Sequence, residues 1–191
     1  MMIDMAEVEV LITGYVREAH DGEHVQPTVS LVRAGDAVAI VDPGILRDVG
    51  ELDDQLQRRG LGRGDITHVL LTHHHIDHTR NVGLFTAATV VDRDSTYQGD
   101  VWGEGPGDGG DVLPGVTAIA TPGHTLECAS YLARTAEGVV VFTHAWWFSD
   151  RTPEVDPLAE DQQQLVASRR RILDVADLVV PGHGAPFRVT H

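Results

Sequence analysis

The chain has 191 residues, 42% of them hydrophobic and 23% charged, which suits a single domain over 1–191 with a full core. Its net charge of −15 repels phosphate backbones, so nucleic acid is a poor partner, and no apolar run approaches the roughly 20 residues of a membrane span. One cysteine, Cys128, excludes an internal disulfide, and the acidic start from Met1 to Glu9 lacks the basic flank and apolar core of a secretion signal, so a cytoplasmic location is expected.

In chain order, Val8 to Val16 and Thr28 to Val32 read as strands, and Gly35-Asp36 reads as a hairpin turn into a third strand, Ala37 to Val41. His20 and His24 lie in the polar stretch between the first two, either overhanging a site or simply solvated. After Gly44, Leu46, Val49, Leu52 and Leu56 recur at helical spacing, and Gly60 suits the helix end. Val69-Leu70-Leu71-Thr72 then reads as a buried strand breaking into His73-His74-His75-Ile76-Asp77-His78. Imidazoles two apart at a strand end can turn toward one cation, while the carboxylate and imidazole just beyond can serve a neighbour about 3.5–4 Å away. His74 is expected to point elsewhere, and His68 to precede its strand.

Thr79 to Phe85 reads as a short helix and Thr89 to Asp92 as a strand. Gln98 to Gly115, with seven glycines and several acids, reads as a mobile surface loop that either covers a site or merely connects. Strands Val116 to Ala120 and Leu178 to Val180 each run into a Pro-Gly turn, delivering His124 and His183. Cys128 is expected to be a small buried residue rather than a nucleophile. Strands Ser130 to Arg134 and Val139 to Phe142 follow, the second leading into Thr143-His144-Ala145 and the aromatics Trp146, Trp147 and Phe148, which serve either as core or as a pocket wall. Asp156 to Asp174 reads as a final helix with Leu158, Leu165, Ile172 and Leu173 on its apolar side and Arg169 to Arg171 on a solvated one.

These motifs resemble the metallo-β-lactamase fold superfamily: His73 to His78 match its H-x-H-x-D-H signature, and Asp42, His124 and His183 match its first, third and fifth motifs. A narrower likeness to one group within that superfamily rests on Gly62 to Thr67, Asn81 to Phe85 and Val175 to Val189. The resemblance implies an α+β architecture, an αββα sandwich of two mixed sheets face to face with helices outside and metals at one edge. It assigns His73, His75 and His124 to a first metal and Asp77, His78 and His183 to a second, which His144 either completes as a ligand or merely packs beside; Asp42 either turns the chain or, as the resemblance favours, hydrogen-bonds a ligand histidine from behind. His144 stands where the superfamily's fourth motif carries the aspartate that bridges both metals. An imidazole has one free lone pair where a carboxylate has two oxygens, so a single cation, or a weak second one, is expected.

The activity so implied is metal-dependent hydrolysis of a small or medium ester, thioester, lactone, amide or phosphodiester by an activated water, with Zn2+ as cofactor (one or two ions, Fe or Mn being other options) and Asp77 moving protons. An iron oxygenase or other redox protein on the same scaffold, and a non-catalytic metal-binding protein, are the alternatives. Every basic residue of the chain is arginine, with no lysine to hold an antibiotic carboxylate, so a true β-lactamase is not expected. A small molecule is the expected partner, and the oligomeric state is left open.

Overall fold

A computed structural model describes residues 5–190; Met1 to Asp4, at the acidic start, and His191 lie outside the described residues. Strand β1 (Glu7–Ile12) is followed by a hairpin, β2 (Tyr15–Ala19) and β3 (Gly22–Gln26), and then by β4 (Val29–Ala34) and β5 (Ala37–Val41). Helix α1 (Val49–Gln57), β6 (His68–Leu70), the single-turn α2 (Ile76–Thr79), β7 (Thr89–Val91), β8 (Ser95–Gln98) and β9 (Val101–Glu104) come next. The second half holds β10 (Asp111–Leu113), β11 (Val116–Ala120), β12 (Ala129–Thr135), β13 (Gly138–Phe142), α3 (Gln162–Leu173), β14 (Leu178–Val180) and β15 (Phe187–Arg188). One mixed sheet has the order β1-β4-β5-β6-β7-β8-β9, and a second runs β10-β11-β12-β13-β14-β15.

Three apolar clusters explain the layering. Val32, Val41, Leu70 and Val91 of the first sheet meet Val116, Ala118, Tyr131 and Phe142 of the second, which glues the sheets face to face. On the outer side of the first sheet Leu31, Ile40 and Val69 pack against Leu52 and Leu56 of α1, the two residues that helical spacing turns to one face. Ile119, Val141 and Val179 pack likewise against Leu165 and Ile172 of α3. The result is the αββα sandwich expected from the sequence.

Direction decides where chemistry can sit. β5 and β6 pair in parallel, as do β13 and β14, and β11 runs the same way as β13 because both are antiparallel to β12. The carboxyl ends of five strands therefore open at one edge, the usual place for a site in such sheets. Tyr131, fully buried on β12, sends its hydroxyl across the interface toward the carbonyls of Leu71 (2.9 Å) and Val91 (3.0 Å) and so ties the second sheet to the loop leaving β6.

Several local expectations are corrected. The first strand stops at Ile12 because Gly14 donates its N–H sideways to Thr28 Oγ1 (3.0 Å), and the polar stretch carrying His20 and His24 is the exposed β2–β3 hairpin. His68 begins β6 instead of preceding it. The stretch read as a mobile loop is built structure: β8 and β9 close on the two-residue turn Gly99-Asp100, and the Tyr97 and Trp102 rings pack at 5.3 Å. The final helix starts only at Gln162, because the Asp161 carboxylate caps the N–H groups of Gln163 (2.9 Å) and Gln164 (3.0 Å). Arg169 is not solvated; it is buried and donates to the carbonyls of Ala145, Pro153 and Glu154.

Candidate metal centre

Seven side chains meet at the shared edge. The chain leaves β6 through Leu71 and Thr72, presents His73, and bends at His75 into α2, which carries Asp77 and His78. The ends of β11, β13 and β14 deliver His124, His144 and His183 from the facing sheet. Glycine is needed where these segments crowd. A side chain on Gly44 would overlap the Asp77 carbonyl, and one on Gly182 would overlap the His144 imidazole.

Hydrogen bonds on the far side of each ring fix which nitrogen faces inward. A carboxylate or carbonyl can only accept, so the ring nitrogen beside it must donate. His78 Nδ1 donates to Asp42 Oδ2 (2.8 Å), His124 Nδ1 to Asp156 Oδ2 (2.7 Å) and His183 Nδ1 to the Gln26 carbonyl (3.0 Å). Thr72 spends its one hydroxyl proton on Asp42 Oδ2 (2.7 Å), so at 3.1 Å it accepts from His73 Nδ1. Four imidazoles are thereby held as Nδ1–H tautomers with Nε2 lone pairs turned to the centre. Asp42 manages this from a left-handed backbone (φ 48°), a conformation that Asp tolerates better than most residues.

The inward atoms fall into groups that fit a metal. His73, His75 and His124 form one, Asp77, His78 and His183 a second, and His144 combines with His73 and His78 between them; within each group one donor atom per residue lies within 4.8 Å of the others. Two nitrogens bound to one tetrahedral ion at about 2.0–2.1 Å sit roughly 3.3 Å apart. Within these groups His75 Nδ1 and His124 Nε2 are separated by 3.0 Å, and His78 and His183 Nε2 by 3.4 Å. His73 Nε2 and His144 Nδ1 are buried with no hydrogen-bond partner among the described residues. Such orphaned ring nitrogens are costly in a protein interior unless they serve a ligand.

Electrostatics favour the same form. Burial, reinforced by neighbouring imidazoles, pushes His73 and His144 well below the ordinary histidine pKa and lowers His75. Burial and His78 bring His183 down to about 4. These rings are neutral at pH 7, as metal ligands must be. Burial works to raise the Asp156 carboxyl, but hydrogen bonds from His124, the Leu158 backbone and Trp147 outweigh it and hold it below the usual value.

Sequence reasoning missed Asp156, which was assigned to the final helix; Pro157 directly after it was the available signal, since a residue before proline avoids helical backbone. Trp147 lines the cavity above the cluster and donates to Asp156 (3.1 Å), whereas Trp146 is not a pocket wall: it is buried with α3 and packs edge-on against Phe187. His74 turns away to Asp92 (3.0 Å), and His68, His20 and His24 stay outside the cluster. Cys128 is buried and its thiol is pushed up to about 12, which leaves no thiolate for catalysis at neutral pH. None of residues 98–115 lines the cavity. No helix of the described residues is long and apolar enough to cross a membrane.

A family model for the metallo-beta-lactamase superfamily matches residues 22–94. The Xenopus laevis protein named metallo-beta-lactamase domain-containing protein 1 is 36% identical over 197 residues, covering 95% of this chain and 81% of its own. The Homo sapiens protein of that name is 40% identical over 141 residues, covering 70% of this chain and 53% of its own. Among solved structures, a Thermotoga maritima protein described as a metallo-beta-lactamase superposes with a TM-score of 0.77 at 24% identity, covering 96% of this chain and 99% of the other. A B. thuringiensis protein solved with N-decanoyl-L-homoserine at its active site gives 0.70 at 16% identity, covering 96% and 94%. The two structures attest the fold alone; the family is shown by the 36% identity to the Xenopus laevis relative, which extends over 95% of this chain and 81% of that protein, and the chain belongs to the metallo-beta-lactamase superfamily.

Proposed function

We propose that the protein is a metal-dependent hydrolase that directs a water molecule at an ester, thioester, lactone, amide or phosphodiester of small or medium size. The observation that carries this reading is the set of four imidazoles locked as Nδ1–H tautomers with their Nε2 lone pairs converging beside a carboxylate, at the floor of an open cavity. His73, His75 and His124 would hold a first cation, and Asp77, His78 and His183 a second. Zinc suits the nitrogen-rich set, and iron and manganese are the other candidates. When bound, such an ion supplies a Lewis acid and lowers the pKa of water toward about 7.

The chain's own groups do the rest. Asp77 is the carboxylate nearest the cluster within the cavity, its Oδ2 lying 3.5 Å from both His78 Nε2 and His183 Nε2, where it can take the proton that the attacking water loses. Trp147 shields the floor on the His124 side. His144 replaces an anion with a neutral donor, so the cluster has Asp77 as the one carboxylate in its three donor groups. One cation is then held firmly and a second weakly.

The test is elemental analysis of protein purified without added metal, followed by assay of the reloaded protein on an ester, thioester, lactone, amide and phosphodiester panel. Close to one equivalent of zinc, iron or manganese per chain and turnover of at least one compound class is the expected result. Absence of turnover with all three metals would defeat the hydrolase reading, and an oxygen-dependent absorption change in the iron-loaded protein would move the chemistry to redox.

A further inference from the structure

The cavity over the cluster has a floor of metal-ligand type and walls of another kind. Val16, Val25, Ile45, Ile76, Trp147 and Leu158 form those walls, the first two contributed by the β2–β3 hairpin. Ile76 and Leu158 keep 64% and 59% of their surface exposed. Single exposed aliphatic residues are ordinary, but two at the lip of a cavity that is itself aliphatic make one continuous apolar surface.

Charge on those walls is confined to Glu23, an anion. No arginine lines the cavity, and the chain contains no lysine. A negative group held away from the reacting bond would lose water without gaining a partner and would meet Glu23 as well. The cavity measures about 190 Å3, below the roughly 300–1,000 Å3 of pockets that take drug-sized ligands.

We infer that the substrate is an uncharged carboxylic ester, thioester or lactone with a short apolar acyl group, and that acyl groups ending in a carboxylate are disfavoured. This rests on the hydrolase reading above. In the reaction water adds to the acyl carbon and the bond from that carbon to the leaving oxygen or sulfur breaks. One water proton passes to the leaving group, and the acid formed releases the other to solvent at neutral pH.

Two matched pairs test it on the metal-loaded protein. Methyl hexanoate and monomethyl adipate have the same acyl length and differ by a carboxylate at the far end; hexanamide and adipamate are the corresponding slow-reacting analogues for calorimetric binding. The neutral member should be favoured by about tenfold or more in kcat/KM and in Kd, because the distal carboxylate is desolvated without a partner. Glu23→Gln should narrow the gap, and Leu158→Glu should weaken hexanamide binding; both positions are exposed, so folding is little affected. Equal binding of the two amides, or faster turnover of bis(p-nitrophenyl) phosphate than of p-nitrophenyl hexanoate, would overturn the inference while leaving a hydrolase. Tighter hexanamide binding with no compound of the full panel turned over would sink the hydrolase reading and leave the wall chemistry standing.

Discussion

Replacing Asp42 by Asn exchanges one oxygen for an NH2 group and should rewire two candidate metal ligands at once. Asp42 Oδ1 accepts from the Thr72 backbone N–H (2.8 Å), while Oδ2 accepts from both Thr72 Oγ1 (2.7 Å) and His78 Nδ1 (2.8 Å). The backbone N–H can only donate, so the asparagine oxygen must stay on that side and its NH2 must face the other two groups. His78 Nδ1 then has to accept, which moves its proton to Nε2 and points it at the metal position. Thr72 Oγ1 also accepts from the NH2, so its own proton turns to His73 Nδ1, 3.1 Å away, and that ring flips its tautomer too.

Folding should survive, since three charge-assisted hydrogen bonds become three neutral ones at a cost of about 1–3 kcal/mol in all. Cation affinity should fall about 10–100-fold, the usual effect of losing an outer partner of a ligand histidine. Asp42→Ala is a poorer probe. It leaves three buried donors unsatisfied at about 1–3 kcal/mol each, comparable with the whole stability of a domain. Long-range nitrogen–proton correlation spectra of the histidine rings report the tautomers directly, and competition with a chelating dye reports affinity. If His78 and His73 in the asparagine variant keep their protons on Nδ1 and the cation binds as before, the tautomer argument is wrong.

Other outcomes follow from the same geometry. Gly182→Ala should push the His144 ring off its position and destabilise the fold by about 1–3 kcal/mol, as overpacking does, visible together in urea melts and in cation stoichiometry. His144→Asp should raise bound zinc toward two equivalents, because the ring it replaces stands 4.4 Å from His73 and 4.7 Å from His78, between the two groups; two tightly held ions already present in the unaltered protein would contradict this. Tyr131→Phe should cost about 1–2 kcal/mol through the lost tie to Leu71 and Val91, with an unchanged denaturation midpoint as the contrary result. Because burial lowers the pKa of His183 to about 4, the unfolded chain binds more protons than the native one between there and the ordinary value near 6.5. Stability of the metal-free protein is thus greatest above that range and declines as pH falls through it, by on the order of 3 kcal/mol for His183 alone. A denaturation midpoint that stays level from pH 7 to pH 4.5 would contradict the assignment.

What was legible in the sequence was local. A strand that stops, a glycine turn and a histidine are adjacent in the chain, so His73 to His78, His124 and His183 announce themselves; apolar periodicity marks the buried face of α1, while the four-layer sandwich follows from the family resemblance. Asp156 was not legible, because its partner His124 is 32 residues away and only folding brings them to 2.7 Å. The β8–β9 hairpin was hidden by its glycines, which signal a loop in number but a turn in position: Gly99-Asp100 sits between Thr96-Tyr97 and Val101-Trp102, all strand formers. The β2–β3 hairpin was passed over for its polar tip, although its valines supply part of the cavity wall. Trp146 and Trp147 are neighbours with opposite fates, one in the core and one at the site, and nothing in their spacing separates them.

The donors are drawn from both halves of the sandwich: His73, His75, Asp77 and His78 come from one, His124, His144 and His183 from the other. A cation seated among them would act as a rivet through the seam, and ions that bind only the native state stabilise it by about 4 kcal/mol at a thousand times their dissociation constant. Neither half of the gene could then carry the proposed chemistry alone, and loss of such an ion would weaken the joint between the sheets as well as the reaction.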